Sequence, residues 1–115
     1  LKRRDVRRTR GGVAIMQDAL MAMAGAKIPS STGVATYSVD EVSPGKHVIL
    51  TAPTRKQPSV LDWGDIQTVY KNRPPGTLRT VDVDRILENP QFRHSAPLCA
   101  LVLAIVDPSR VRRDA

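Results

Sequence analysis

Cysteine and aromatic residues are scarce in this chain of 115 residues, which has one Cys, one Phe, one Trp and two Tyr. A single cysteine, Cys99, excludes an intramolecular disulfide framework and the zinc sites that are built on paired thiolates. The core must come mainly from Ala, Val, Leu, Ile and Met. Because a small core of this kind has little stability to spare, we expect a homo-oligomer or a subunit of a larger assembly.

Long apolar runs are also missing. The longest one, 98–106, has nine residues, whereas a membrane-spanning helix needs about 20. Basic residues followed by apolar ones near the start of the sequence imitate an export signal, but Gln17 and Asp18 interrupt the apolar part, which argues against export. We therefore expect a reducing intracellular compartment, the cytoplasm or a virion. Mitochondria are the alternative, because presequences are also rich in arginine.

Positive charge is plentiful and unevenly distributed. The chain has 18 Lys and Arg against 11 Asp and Glu, a formal net charge of +7. Residues 1–10 carry six cations and one anion, residues 108–115 carry three cations and one anion, and residues 11–107 balance. These two segments therefore hold the whole excess. We infer a basic N-terminal arm at 1–10, a single globular domain at 11–107 and a basic C-terminal tail at 108–115.

Arginine dominates both charged segments, and its planar guanidinium group binds phosphate oxygens through paired hydrogen bonds. Such cations release counterions from nucleic acid and give affinity without reading the base sequence. A weaker cationic region at 53–81 has a net charge of +3. No aromatic RNA-recognition motif or helix-turn-helix spacing stands out, so we expect backbone contacts. The residues expected to bind nucleic acid are Arg3, Arg4, Arg7, Arg8, Arg10, Arg55, Lys56, Arg73, Arg110, Arg112 and Arg113.

The charge pattern predicts a non-enzymatic structural or accessory subunit that binds nucleic acid in a ribosome-associated or viral assembly, and we expect RNA rather than DNA as the ligand. Two alternatives remain open. The basic segments could instead dock onto acidic protein or an anionic membrane surface. The chain could also be a small, metal-independent, toxin-like ribonuclease in which His47 and His94, the only histidines, transfer protons at a phosphodiester. Nothing in the spacing of the two histidines brings them together.

Neither a cofactor nor a metal is expected from the remaining chemistry-bearing residues. Asp82 and Asp84 lie two positions apart and could offer oxygen ligands to Mg²⁺. Acidic residues at the start of a helix are explained as well by the helix dipole. The apolar neighbours of Cys99 predict an inert thiol with a raised pKa.

Apolar residues at helical spacing predict two main helices, at 13–27 and 59–72. The pattern Ser59-x-x-Asp62 is typical of a capping box at the start of the second helix. A shorter helix is expected at 83–89, with 77–81 as a strand that leads into it.

A β-hairpin at 34–52 is the clearest local prediction, because Pro44-Gly45 has the chemistry of a type II turn. The run 98–106 suits either a helix or a strand covered on both faces, and its bounding prolines and lack of a polar face favour the strand. We therefore expect an α+β fold. Its small antiparallel or mixed sheet, made of the hairpin and 98–106, packs against the two main helices, and the basic termini extend from the domain.

Overall fold

The computed structural model describes residues 14–88 and 94–113. Helices and an antiparallel sheet follow one another in these ranges, which confirms the α+β class. In chain order the elements are α1 (14–23), β1 (Lys27–Pro29), β2 (Thr36–Ser43), β3 (His47–Thr51), β4 (Ser59–Asp62), α2 (Trp63–Asn72), α3 (Thr80–Leu87), α4 (Ser95–Val106) and a 3₁₀ turn (Pro108–Arg110).

The sheet is a meander in which each strand pairs with the next, in the order β1-β2-β3-β4. The predicted hairpin is confirmed as β2 and β3. The Lys46 N–H donates to the Ser43 carbonyl at 3.0 Å, and Gly45 has a φ of +77°. This is the φ that the second central residue of a type II turn requires and that residues with a Cβ adopt at a cost.

The core is one cluster with members from all four strands and all four helices. Strand residues alternate, so that Val39, Val48, Leu50 and Leu61 face inward with at most 1% of their surface exposed. Their outward neighbours are more exposed, as expected of a sheet that is covered on one face.

The predicted strand at 98–106 is wrong, because this run lies within helix α4. All residues from Pro97 to Ile105 are buried, so the helix has no polar face and its sequence loses the helical period. A strand covered on both faces would give the same apolar run. The helix-favouring Leu and Ala residues and the position of Pro97 in the first turn are the features that fit a helix.

The predicted helix at 59–72 begins four residues too early. Ser59 and Leu61 are buried and alternate with exposed neighbours in strand β4, and α2 starts only at Trp63. The side chain of Asp62 accepts a hydrogen bond from the Asp65 N–H at 3.2 Å. The N-cap of α2 is therefore Asp62 and not Ser59.

Two further boundaries differ from the predictions. The helix expected at 13–27 ends at residue 23, and Gly25, with a φ of +81°, leads the chain into β1. The strand expected at 77–81 is absent from this described stretch, because α3 already begins at Thr80. The helix predicted at 83–89 is confirmed as α3, although it begins three residues earlier, at Thr80, and its last residue is Leu87. Glu88, with a φ of +53°, is its C-cap.

Residues 108–113 pack on the domain and do not extend from it as expected. Arg112 exchanges two backbone hydrogen bonds of 2.8 Å with Lys27. The Arg113 guanidinium donates to the Ala22 carbonyl, and Val111 packs against the core. The predicted arm at 1–10 lies outside the described residues. Within the described ranges, no helix has the length and apolar character needed to cross a membrane.

Candidate nucleic-acid interface

The cations expected to bind phosphate lie on several parts of the molecule. Arg3, Arg4, Arg7, Arg8 and Arg10 lie outside the described residues. Arg55 and Lys56 are exposed in the loop between β3 and β4. The other four, Arg73, Arg110, Arg112 and Arg113, follow α2 or α4 in the chain. Two of the predicted cations, Arg73 and Arg110, line the same cavity.

That cavity, which we call the basic groove, has a volume of about 680 Å³ and opens between the end of α2, the loop at 73–78 and the end of α4. Among the residues that the structure describes, Lys71, Arg73 and Arg110 line it together with one carboxylate, Asp107. The groove therefore carries a formal excess of two positive charges. Its remaining lining includes the apolar side chains of the last turns of α4.

The loop that forms one wall of the basic groove follows from the sequence. Two prolines after Arg73 cannot continue α2, and the residue before a proline is pushed into extended backbone. Arg73 has this conformation, with φ −62° and ψ 145°. Its guanidinium donates to the Tyr70 carbonyl at 2.6 Å and lies 4.4 Å from the centroid of the Tyr70 ring. These two contacts fix the position of the cation at the end of the helix.

The opposite side of the basic groove is fixed by the turn after α4. The Asp107 carboxylate accepts hydrogen bonds from the Ser109 hydroxyl at 2.6 Å and from the Ser109 N–H at 3.2 Å. The Arg110 Nε lies 3.8 Å from the same carboxylate. The bonds from Ser109, and to a smaller extent the charge of Arg110, hold the pKa of Asp107 below its ordinary value. Asp107 is therefore ionised at neutral pH and orients Arg110.

The other predicted cations within the described residues are not among those that line the basic groove. Arg55 donates to the Ser59 hydroxyl at 3.2 Å and its guanidinium lies 6.0 Å from the centroid of the Tyr37 ring. Arg113 lines a second, mostly apolar cavity of about 590 Å³ beside α1. Arg112 is exposed, and its backbone holds the C-terminal segment to β1.

The two histidines belong to different elements. His47 begins β3, and its Nε2 lies 2.7 Å from the Glu41 carboxylate across the hairpin. His94 precedes α4. Neither histidine lines the basic groove or the apolar cavity. The structure therefore adds no support to a shared role in proton transfer.

Asp82 and Asp84 form hydrogen bonds within the fold, and Cys99 is buried. Asp82 accepts a hydrogen bond from the Arg79 N–H at 3.0 Å, and the Ser95 hydroxyl donates to Asp84. In residues 14–88 and 94–113, no group of three or more His, Cys, Asp or Glu is placed to hold a metal. The Cys99 thiol is completely buried, and burial raises its pKa to about 11. This agrees with the inert thiol expected from the sequence.

Of the residues that line the groove, only Arg73 and Arg110 were predicted as site residues; Lys71 and Val106 are among those that were not. A signal for Lys71 exists, because it is a cation two positions from Arg73 in the last turn of α2. The sequence holds no signal for Val106, because its place in the groove depends on how α2 packs against α4.

Comparison of the chain with protein-family models, with curated proteins and with solved structures found no match. The charge distribution and the geometry of the basic groove are therefore the grounds on which a function can be proposed.

Proposed function

We propose that this chain is a non-enzymatic nucleic-acid-binding protein, a structural or accessory subunit that holds the phosphate backbone of its ligand, which we take to be RNA rather than DNA. The observation that carries the proposal is the convergence of three cations on the basic groove of a chain whose charge excess lies in its two end segments. Arginine and lysine bind phosphate by charge-assisted hydrogen bonds. A ribosome-associated or viral assembly is the setting that we propose for it.

The basic groove suits phosphate because its arginines are held in place before a ligand arrives. Arg73 contacts the carbonyl and the ring of Tyr70, and the Arg110 Nε lies 3.8 Å from the Asp107 carboxylate. A guanidinium group has more N–H donors than these contacts use, so donors remain for phosphate oxygens. Binding then costs less side-chain entropy than it would with freely rotating side chains.

The cations of residues 1–10 and 108–115 supply the long-range part of the proposed mechanism. Each phosphate that they neutralise releases condensed counterions, so the affinity falls as salt rises. Clustered positive charge also speeds the encounter with a polyanion. These segments therefore attract the nucleic acid, and the groove adds fixed contacts.

A salt titration tests the proposal. Binding of a labelled single-stranded RNA is measured by fluorescence anisotropy between 50 and 200 mM salt, values at which phosphate-bound proteins lose affinity by orders of magnitude. We expect a steep linear fall of log K with log salt. Affinity that does not change with salt, or no RNA binding at 50 mM salt, rejects the proposal. Retention on anionic vesicles without retention on RNA would reject it in favour of a membrane-docking role.

A pair of charge-matched variants tests the place of binding. Lys71→Gln removes a groove cation, whereas Lys46→Gln removes the same charge at the hairpin turn, near the other end of α2. We expect Lys71→Gln to weaken RNA binding and to lower the salt slope by about 1, as the loss of one phosphate contact does. Lys46→Gln should change neither. Equal effects of the two variants would show that the groove is not the binding surface.

A further inference from the structure

We infer that the basic groove receives unpaired nucleotides of a single strand and does not bind the backbone of a duplex. This inference rests on the proposed function and narrows its ligand. The groove has an apolar second wall, which phosphate binding alone does not use.

The two walls of the basic groove differ in chemistry. One wall presents Lys71 and Arg73 at the end of α2, and the other presents apolar atoms of Leu103 and Val106 at the end of α4, followed by Asp107 and Arg110. Val106 is 49% exposed although the nine residues before it in the helix, from Pro97 to Ile105, are buried. The ligand that fits both walls has an anionic edge and a flat apolar face.

An unpaired nucleotide has both features, because its phosphate and the face of its base are exposed together. A duplex presents phosphates outward and stacks its bases inside, so it would leave Val106 facing water or sugar. The groove volume of about 680 Å³ falls within the range of about 300–1,000 Å³ that is usual for small-molecule pockets. A nucleotide can enter such a space, whereas a duplex can only cover its opening.

Arg73 offers a stacking surface at the edge of the same groove. One face of its guanidinium lies over the Tyr70 ring, 4.4 Å from the centroid. Guanidinium planes stack on unpaired bases in RNA-binding proteins. Asp107 offsets part of the charge of Arg110, so we place the phosphate nearest to Lys71 and the base between Arg73 and Val106.

The test compares three ligands of equal length on the unaltered chain at one salt concentration: a single-stranded RNA, the same strand with abasic residues, and a blunt duplex. The abasic strand keeps the phosphates and loses the bases. We expect the intact single strand to bind about tenfold more tightly than either other ligand, in line with the usual contribution of one stacked base. Equal affinity for all three ligands overturns the inference.

Two exposure-matched variants locate the apolar contact. Val106→Ser alters the groove, and Val60→Ser alters strand β4, where Val60 is 51% exposed. We expect Val106→Ser alone to reduce the preference for the intact single strand, with duplex binding unchanged. Equal behaviour of the two variants also overturns the inference.

The outcomes separate this inference from the proposed function. Salt-dependent binding without preference among the three ligands rejects the single-strand inference and leaves the phosphate-binding proposal standing. Failure to bind any of the three at 50 mM salt rejects both. The comparison on the unaltered chain decides the matter even if a variant is poorly folded.

Discussion

Lys27 and Arg112 pair as an isolated antiparallel bridge, with each backbone N–H donating to the other residue's carbonyl at 2.8 Å. On its other side, Lys27 pairs with Ser38 in the register of β1 and β2. The C-terminal segment thus covers the outer edge of β1, a strand of three residues. This cover limits pairing of that edge with other chains. The same bridge holds the segment that begins with Arg110 close to the domain.

Replacing Arg112 by proline should destabilise the fold, because proline lacks the N–H that donates to the Lys27 carbonyl. We expect a loss of about 1–2 kcal/mol in the free energy of unfolding, the range for one backbone hydrogen bond and its partner. Urea denaturation measures this change. Arg112→Ala is the control, since it keeps the N–H and removes only an exposed side chain. If the alanine variant loses as much stability as the proline variant, the bridge is not the cause.

Gly45→Ala should also destabilise the chain, because Gly45 has a φ of +77° in the hairpin turn. For a residue with a Cβ, this positive-φ conformation raises the free energy of the folded state by about 1–2 kcal/mol. The matched control is Gly76→Ala, where an added Cβ meets nothing within 4 Å and no positive φ is found. We expect a lower melting temperature for the first variant and no loss for the second. Similar melting temperatures for both would contradict the turn assignment.

The hairpin shows what the sequence alone can predict in this fold. Pro44 and Gly45 encode the turn by their own backbone preferences, and the flanking β-branched residues favour strands. Helix α4 shows the opposite case. Because it is buried on every side, its sequence has no period, and only its neighbours decide between helix and strand. The strand β1 has the same difficulty, since three residues that include Pro29 carry too little pattern.

The candidate site was partly predictable for a related reason. The charge pattern includes Arg73 and Arg110 among eleven cations expected to bind phosphate, without setting these two apart. Their meeting at one groove depends on α2 and α4 packing together across a long sequence separation. The role of Arg73 and Arg110 in binding remains a prediction, which the salt titration and the groove variants test.

Asp82→Ala should destabilise α3 and its packing. The Asp82 side chain is only 9% exposed and forms hydrogen bonds with the Arg79 N–H at 3.0 Å and the Arg85 guanidinium at 3.1 Å. Losing an acceptor at the start of a helix costs about 0.5–2 kcal/mol. Thermal denaturation followed by circular dichroism measures the loss. Arg85→Ala is the control, because its side chain is 73% exposed and such ion pairs contribute about 0–1 kcal/mol. A larger loss for Arg85→Ala would contradict this account.

The Cys99 thiol should react with a disulfide reagent only when the chain opens. It is completely buried, and burial raises its pKa to about 11, so little thiolate exists at pH 8. We expect no rapid labelling of the native chain and one equivalent in denaturant, since the chain has one cysteine. Because the folded state keeps the thiol protonated, stability should fall as pH rises from the ordinary thiol pKa toward 11.

The destabilised turn variant gives this labelling experiment its control. If labelling follows opening of the fold, Gly45→Ala should label faster by about tenfold for each 1.4 kcal/mol of lost stability. Gly76→Ala should label at the rate of the unaltered chain. Rapid labelling of the native chain, at the rate found in denaturant, would place Cys99 at the surface and contradict the packing of α4 against the core.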